Sequence, residues 1–153
     1  MKTRRKTIGL IVLAVAAIGF LIAIPNLIEA RKHGNEAGAI GDLKRIGTAQ
    51  SLFREGDLEG DGKLDYGTLE ELAAAGLLDE ALASGTKRGY TFSVFVPSAT
   101  PEFLWMAVAN PVEVGATGDR HFATNQQGVT FYTTNGPVAP TSDATLPGGM
   151  ASS

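Results

Sequence analysis

An acidic, glycine-rich loop is the segment of this sequence whose residue types are best suited to bind a metal ion. In the register of a calcium loop, the candidate ligands are Asp57, Glu59, Asp61, the carbonyl of Lys63, and Asp65. This spacing wraps oxygen atoms around a hard cation, but position 12, where a calcium loop needs a bidentate Glu, is Thr68. Two interpretations stay open. One is a weak calcium site with a dissociation constant on the order of 10⁻⁴–10⁻³ M, and the other is a solvated acidic turn.

Residues that could carry out catalysis are few. The chain has no cysteine, which excludes a thiol nucleophile, a thiolate metal site and a disulfide framework. His33 lies in a charged segment and His121 lies beside Arg120 before a predicted strand, so we expect both histidines at the surface. The glycines follow neither a P-loop nor a dinucleotide-binding pattern. We therefore expect no enzymatic activity and no small-molecule substrate.

Aromatic side chains form another candidate site. The residues considered are Trp105, Phe92, Phe95, Phe103, Phe131 and Tyr132. Together they could form a platform for a ligand or a glycan. Because the chain has a single Trp, the packing of a sheet on a helix explains these residues better.

Charge is distributed unevenly along the 153 residues, whose net charge is −3. Four of the 13 basic residues lie in the first six positions, and all 16 acidic residues come after residue 28. The acidic body argues against a nucleic-acid partner. Between these regions, Ile8 to Ile24 contains only apolar residues and glycine. As a helix, residues 8–28 would measure roughly 30 Å, about the thickness of the hydrocarbon core of a bilayer.

This charge pattern predicts a topology. Basic residues directly before an apolar span keep the N-terminus in the cytoplasm, so we predict a basic cytoplasmic tip at 1–7, a transmembrane helix at 8–28 and an exported globular domain at 29–134. The corresponding location is a bacterial inner membrane crossed once, with the domain periplasmic or extracellular and the lipid bilayer as a partner. A cleaved signal peptide and a twin-arginine signal fit the length and apolar character of the span less well. A buried core helix is disfavoured because the rest of the chain is too small to cover it on all sides.

The globular part is predicted to position its residues on one long helix and a sheet. Over residues 37–55 the helical period places Ile40, Leu43, Ile46 and Phe53 on one face, and a kink is expected near Pro25. A capping box at 68–71 predicts a short second helix. Alternating apolar residues then predict strands at 90–96, 103–109, 120–124 and 128–133. The expected fold class is α+β, with an antiparallel sheet of about four strands packed on the helix and a disordered tail at 135–153.

Several stretches carry a resemblance to a known family. Residues 22–32, which include Pro25-Asn26-Leu27-Ile28-Glu29-Ala30-Arg31, resemble the point where the N-terminal helix of type IV pilins and type II secretion pseudopilins leaves the membrane. Residues 35–37, 46–50, 66–79 and 83–92 continue the likeness, which covers the chain to about Thr133. The resemblance implies a pilin-like fold and a non-enzymatic subunit, anchored in the inner membrane, that stacks with other pilin-like subunits through its N-terminal helix.

Two family features are missing from this sequence. The family's leader is cut after a Gly, and a Glu shortly after the cut contacts a neighbouring subunit; the corresponding residues here are Thr3 and Ile8. We therefore expect a membrane-anchored, pilin-like structural subunit or assembly component of a type IV pilus or type II secretion-like system that lacks the prepilin-peptidase site. The alternative is an exported, tethered calcium- or ligand-binding module that takes no part in filament assembly.

Overall fold

The computed structural model describes residues 26–153, and the bounds of its first helix reach back to Lys2. The helices are α1 (Lys2–Glu55), α2 (Leu69–Ala74) and α3 (Glu80–Ala83). The strands are β1 (Thr86–Lys87), β2 (Tyr90–Phe95), β3 (Met106–Pro111), β4 (His121–Asn125), β5 (Phe131–Thr133) and β6 (Ala151–Ser152). The predicted α+β class with one long N-terminal helix is therefore confirmed.

A single antiparallel sheet contains all six strands in sequence order. The four predicted strands correspond to β2, β3, β4 and β5, although β3 and β5 begin three residues later than predicted. The additional strands are β1 and β6, which have two residues each and lie at the two edges. Such short strands carry too few residues for an alternating pattern to show in the sequence.

One face of the sheet packs on α1. The predicted docking residues Leu43, Ile46 and Phe53 are buried there, and Ile40 is partly buried. They meet the large aromatic side chains Tyr90, Phe92, Trp105 and Phe122, which belong to the same cluster. The helical period in the sequence therefore identified the correct face of α1, because burial against a sheet selects one apolar stripe.

The other face of the sheet is covered by the C-terminal tail. Val138 and Ala144 are buried in a second cluster with Met106, Val108 and Ala123. The tail then returns to the sheet as β6, whose Ser152 pairs with Phe131. This packing contradicts the expected disorder of 135–153. The outer sheet face is apolar as well, so a few apolar side chains in a Gly- and Pro-rich segment are enough to order the tail against it.

The predicted location needs a second correction. Within residues 26–153 no helix is long and apolar enough to cross a bilayer, and from Asn26 onward α1 carries charged residues along its length. This finding contradicts the expected single-pass inner-membrane location. Three predictions lie outside the described residues. They are the basic tip at 1–7, the part of the transmembrane span that precedes Asn26, and the kink near Pro25.

Candidate functional site

The acidic loop begins where α1 ends. Asp57 has a positive φ of 43°, and its Oδ2 accepts a hydrogen bond from the Gly62 amide at 3.1 Å, which folds the loop back on itself. Asp61 Oδ1 accepts from the Lys63 amide at 2.9 Å, and the Lys63 ammonium lies 3.5 Å from Asp61 Oδ2. The loop is therefore a turn in which carboxylates already accept backbone amide protons, as in asparagine- and aspartate-based turns.

The carboxylates of this loop repel one another. Burial raises the pKa of Glu59, and the nearby carboxylates of Glu71, Asp61, Asp65 and Asp57 raise it further. In addition, the buried oxygens Oδ1 of Asp57 and Oδ1 of Asp65 have no hydrogen-bond partner. A bound cation would reduce the repulsion between the carboxylates and would give the two unpaired oxygens a ligand to contact.

The candidate ligands of the acidic loop do not form a complete metal site. Among residues 26–153, no three His, Cys, Asp or Glu side chains converge as they would around a metal ion. Thr68, at the position of the missing bidentate Glu, is instead the N-cap of α2. Its Oγ1 accepts from the Glu71 amide at 3.3 Å, while Glu71 Oε2 accepts from the Thr68 amide at 2.7 Å. Calcium binding by Asp57, Glu59, Asp61, Lys63 and Asp65 thus stays a prediction.

The two histidines occupy different environments. His33 is exposed, with 73% of its side chain accessible. His121 is 2% exposed, which contradicts the expectation of a surface residue. It lies on the outer face of β4, where the tail covers it, and its Nδ1 is 2.9 Å from Asn110 Oδ1. Burial lowers the pKa of His121.

The aromatic residues mostly belong to the core. Trp105 is 3% exposed and packs against Tyr66, with ring centroids 6.2 Å apart. Phe92 is buried, Phe95, Phe131 and Tyr132 are partly buried, and Phe103 is exposed. A cleft of about 370 Å³ lies beside Trp105 and is rimmed mainly by polar residues such as Thr48, Asn125 and Gln126. Because Trp105 is almost inaccessible, very little of its ring surface is available for contact with a ligand.

A polar clamp, which was not predicted from the sequence, joins α1 to the loop before β4. Glu36 is 3% exposed, and its Oε1 accepts from the amides of Asp119 at 2.8 Å and Arg120 at 3.2 Å. Lys32 donates to Asp119 Oδ2 at 2.8 Å, and Asn35 donates to the Thr117 carbonyl at 2.9 Å. Lys32 and Glu36 are four residues apart and share one helix face, which is the local signal that could have identified the α1 side of the clamp.

A second polar cluster lies further along α1. Asp42 is 1% exposed, and Lys87 of β1 donates to its Oδ1 at 2.9 Å and to Asp79 Oδ2 at 2.6 Å. Burial alone would lower the pKa of Lys87, but the hydrogen bonds to Asp79 and Asp42 outweigh burial and raise it. These contacts hold α1, α3 and the edge of the sheet together without providing a reactive group.

The N-terminal part of the described helix extends past the domain. Every residue from Asn26 to Arg31 is exposed, including Leu27 at 64% and Ile28 at 44%, and the clamp begins only at Lys32. Further along, Gly34, Ala37 and Gly41 follow one exposed stripe of α1 at helical spacing. A Cβ atom added at Gly34 or Gly41 would meet nothing within 4 Å, so the domain leaves this stripe open.

Comparisons with protein-family models, with curated proteins and with solved structures found no match. The geometry of α1 and of the acidic loop therefore carries the functional argument.

Proposed function

We propose that this chain is a pilin-like structural subunit, which assembles with copies of itself or with related subunits through α1, in a type IV pilus or a type II secretion-like system. The observation that carries the proposal is the extension of α1 beyond its domain, where every residue from Asn26 to Arg31 is exposed. An exposed helix that carries Leu27 and Ile28 gains stability when another surface covers these side chains.

The open stripe on α1 supports a helical partner. Gly34 and Gly41 place no side chain between the helix backbone and a neighbour, so a second helix can approach closely and gain van der Waals contact. Ala37, between them, is exposed and adds only a methyl group.

The clamp supports a mechanical role. Glu36 and Lys32 hold the helix to the loop at Asp119 and Arg120, next to the exposed residues 26–31, through bonds of 2.8 Å. Charge-assisted hydrogen bonds to buried groups are directional and strong. Force applied along α1 would therefore be transmitted to the sheet instead of bending the helix at its exit.

Photocrosslinking tests this proposal in cells. A benzophenone side chain at Ala37, on the open stripe, is expected to give a ladder of covalent multimers, and the same group at Glu80 of α3, which is also exposed, is the matched control. Benzophenone reacts with any neighbour, so the test does not require two equivalent residues to meet. Equal yields at both positions, or only monomer at both, would contradict assembly through α1.

We propose calcium binding by the acidic loop as a second candidate function. It is favoured by the two buried oxygens, Asp57 Oδ1 and Asp65 Oδ1, that have no partner. Titration calorimetry of the full-length chain with CaCl₂ should then give a dissociation constant on the order of 10⁻⁴–10⁻³ M. Asp65→Asn should weaken binding, whereas Asp143→Asn, an exposed acid outside the loop, should not. The absence of both heat and thermal stabilisation at millimolar calcium would end this proposal.

A further inference from the structure

The C-terminal strap, defined as residues 135–150, covers the outer face of the sheet through few contacts. Its buried apolar residues are Val138 and Ala144, and beneath it lie Met106, Val108 and Ala123. At its first buried residue the strap is held by a side chain and not by strand pairing. Asn110 Oδ1 accepts from the Val138 amide at 2.9 Å, and Asn110 Nδ2 donates to the Val138 carbonyl at 2.9 Å.

This pair of bonds determines the protonation of His121. A backbone amide can only donate and a carbonyl can only accept, so the Asn110 side chain has one possible orientation, with Oδ1 toward Val138 N–H. His121 Nδ1 lies 2.9 Å from the same Oδ1, and it must therefore carry a proton and donate. Nε2 is then the atom that gains a proton when His121 titrates.

We propose that His121 is an acid-operated latch: protonation of Nε2 releases the C-terminal strap from the sheet and exposes the apolar outer face.

Within residues 26–153, no carboxylate forms a hydrogen bond or an ion pair with His121. β3 contains no titratable residue, and on β5 Tyr132 lies on the helix side, against Phe122. Among residues 135–150, the only acidic side chain is that of Asp143, which is exposed. It already accepts hydrogen bonds from the hydroxyl of Thr145 at 2.7 Å and from the amide of Thr145 at 3.2 Å. The neighbouring Arg120 is bound to Glu36. A buried imidazolium here would lack both water and a counter-ion.

Release of the strap is the least costly way to hydrate that charge. β3 and β4 are each paired on both sides within the sheet. The strap has no strand partner over residues 135–150. It is held by the Asn110 side chain at Val138 and by the Asn125 side-chain amide, 3.5 Å from the Ala144 carbonyl. Its apolar contacts are two buried residues and the partly buried Leu146 and Met150, and the two-residue β6 follows it. Segments with few buried contacts open at lower free energy than the core they cover. Burial lowers the pKa of His121 below the ordinary value of 6.5, which is the direction that the latch requires. The form with the strap bound to the sheet is therefore fully stable above pH 6.5. It loses stability as the pH falls from 6.5 through the lower pKa of the folded protein.

Hydrogen–deuterium exchange of the full-length protein at pH 7.5 and 5.0, corrected for the intrinsic pH dependence of exchange, tests the latch. We expect protection of the Val138 amide in the strap to fall on the order of tenfold at the lower pH, while β3 and β4 stay protected. His121→Gln keeps a donor for Asn110 and should remove the pH response. His33→Gln, at the exposed histidine, is the matched control and should retain it.

Three results would overturn the latch. In the first, the strap and the sheet lose protection together, so that acid unfolds the whole domain. In the second, strap protection is equal at both pH values. In the third, His121→Gln responds to pH as the parent chain does. Asn110→Ala provides an independent check, because it should leave the Val138 amide unprotected even at pH 7.5 while β4 remains protected.

Discussion

Glu36 of α1 and Arg120, directly before β4, are 84 residues apart in the chain, yet Glu36 Oε2 lies 2.8 Å from both Nε and Nη2 of the Arg120 guanidinium. The other oxygen of Glu36 accepts two backbone amide protons. One side chain of the helix thus satisfies four donor atoms at the entry to a central strand. This contact ties α1 to the residues directly before β4, and the stability of the fold should depend on it.

Removing this carboxylate should destabilise the protein strongly. In Glu36→Ala the amides of Asp119 and Arg120 and the guanidinium lose their acceptor, and we expect a loss of about 3 kcal/mol in the free energy of unfolding. Urea denaturation followed by circular dichroism measures it. Glu55→Ala, at an exposed residue of the same helix, should change stability by less than about 0.5 kcal/mol. Similar losses in the two variants would show that the clamp carries little stability.

The contact between α1 and the segment before α2 should be similarly sensitive. Gln50 is fully buried, and its Nε2 donates to the Gly67 carbonyl at 2.7 Å while its Oε1 accepts from the Gly67 amide at 2.9 Å. Gln50→Leu leaves both backbone groups buried without partners, so we expect a loss of about 2–4 kcal/mol in urea denaturation. Ser51→Ala, at the exposed neighbouring position, is the control. A stability close to that of the parent would mean that water replaces the amide.

Asp79 should contribute to the pH dependence of stability. The hydrogen bond from Lys87 lowers its pKa, and the bond from the Leu82 amide lowers it further. Because the folded pKa lies below the ordinary value of 3.8, this stabilisation is present above pH 3.8 and is lost as the pH falls through the folded value. Asp79→Asn keeps an N-cap oxygen for α3 but removes the charge.

The measurement is the thermal midpoint of parent and Asp79→Asn between pH 2.5 and 7. Asp79 is 43% exposed, so solvent screening limits the expected loss at neutral pH to about 0.5 kcal/mol. The difference between the two proteins should shrink toward zero at the acidic end. A difference that is constant over the whole range would assign the effect to capping and not to the ion pair.

Ionisation of Glu59 should destabilise the fold, in contrast to that of Asp79. Burial and then the carboxylates of Glu71, Asp61, Asp65 and Asp57 raise its pKa above the ordinary value of 4.5, so the charged form is disfavoured in the folded loop at neutral pH. Glu59→Gln should therefore raise the thermal midpoint at pH 7, and its advantage should disappear as the pH falls through the folded pKa to below 4.5. Glu70→Gln, on the exposed surface of α2, is the comparison, and an equal rise in both variants would indicate a general effect of net charge.

Assembly through α1 predicts a variant that is stable but does not assemble. A side chain at Gly41 meets nothing in the domain, and Leu is a better helix former than Gly by about 1 kcal/mol. Gly41→Leu should thus unfold at the same or a higher temperature while its crosslinked multimers decrease, because the added side chain keeps a second helix at a distance. Ala74→Leu, exposed on α2, should leave the multimers unchanged. Undiminished multimers in Gly41→Leu would exclude this stripe as the contact.

Local patterns in the sequence were sufficient for the elements that depend on near neighbours. The spacing of Leu43, Ile46 and Phe53 predicted the buried face of α1, and the Thr68–Glu71 capping box predicted the start of α2. Alternation over Tyr90 to Val96 predicted β2. In each case the residues that determine the element lie within one or two turns, or one strand, of each other, so their side-chain period reports the environment directly.

Contacts between distant residues were decided only by the tertiary structure. A polar residue such as His121 has no local pattern that shows a tail will cover it, and the tail's own composition, rich in Gly, Pro and Ser, is typical of disorder. Both contact Asn110, which lies 28 residues from Val138 and 11 from His121. Likewise, Glu36 and Arg120 meet because β4 packs against α1 in the fold. The sequence alone therefore determined the local elements, because the interactions that stabilise them are between residues close together in the chain. The tertiary structure decided which polar groups are buried, because the partners of those groups come from other elements of the fold.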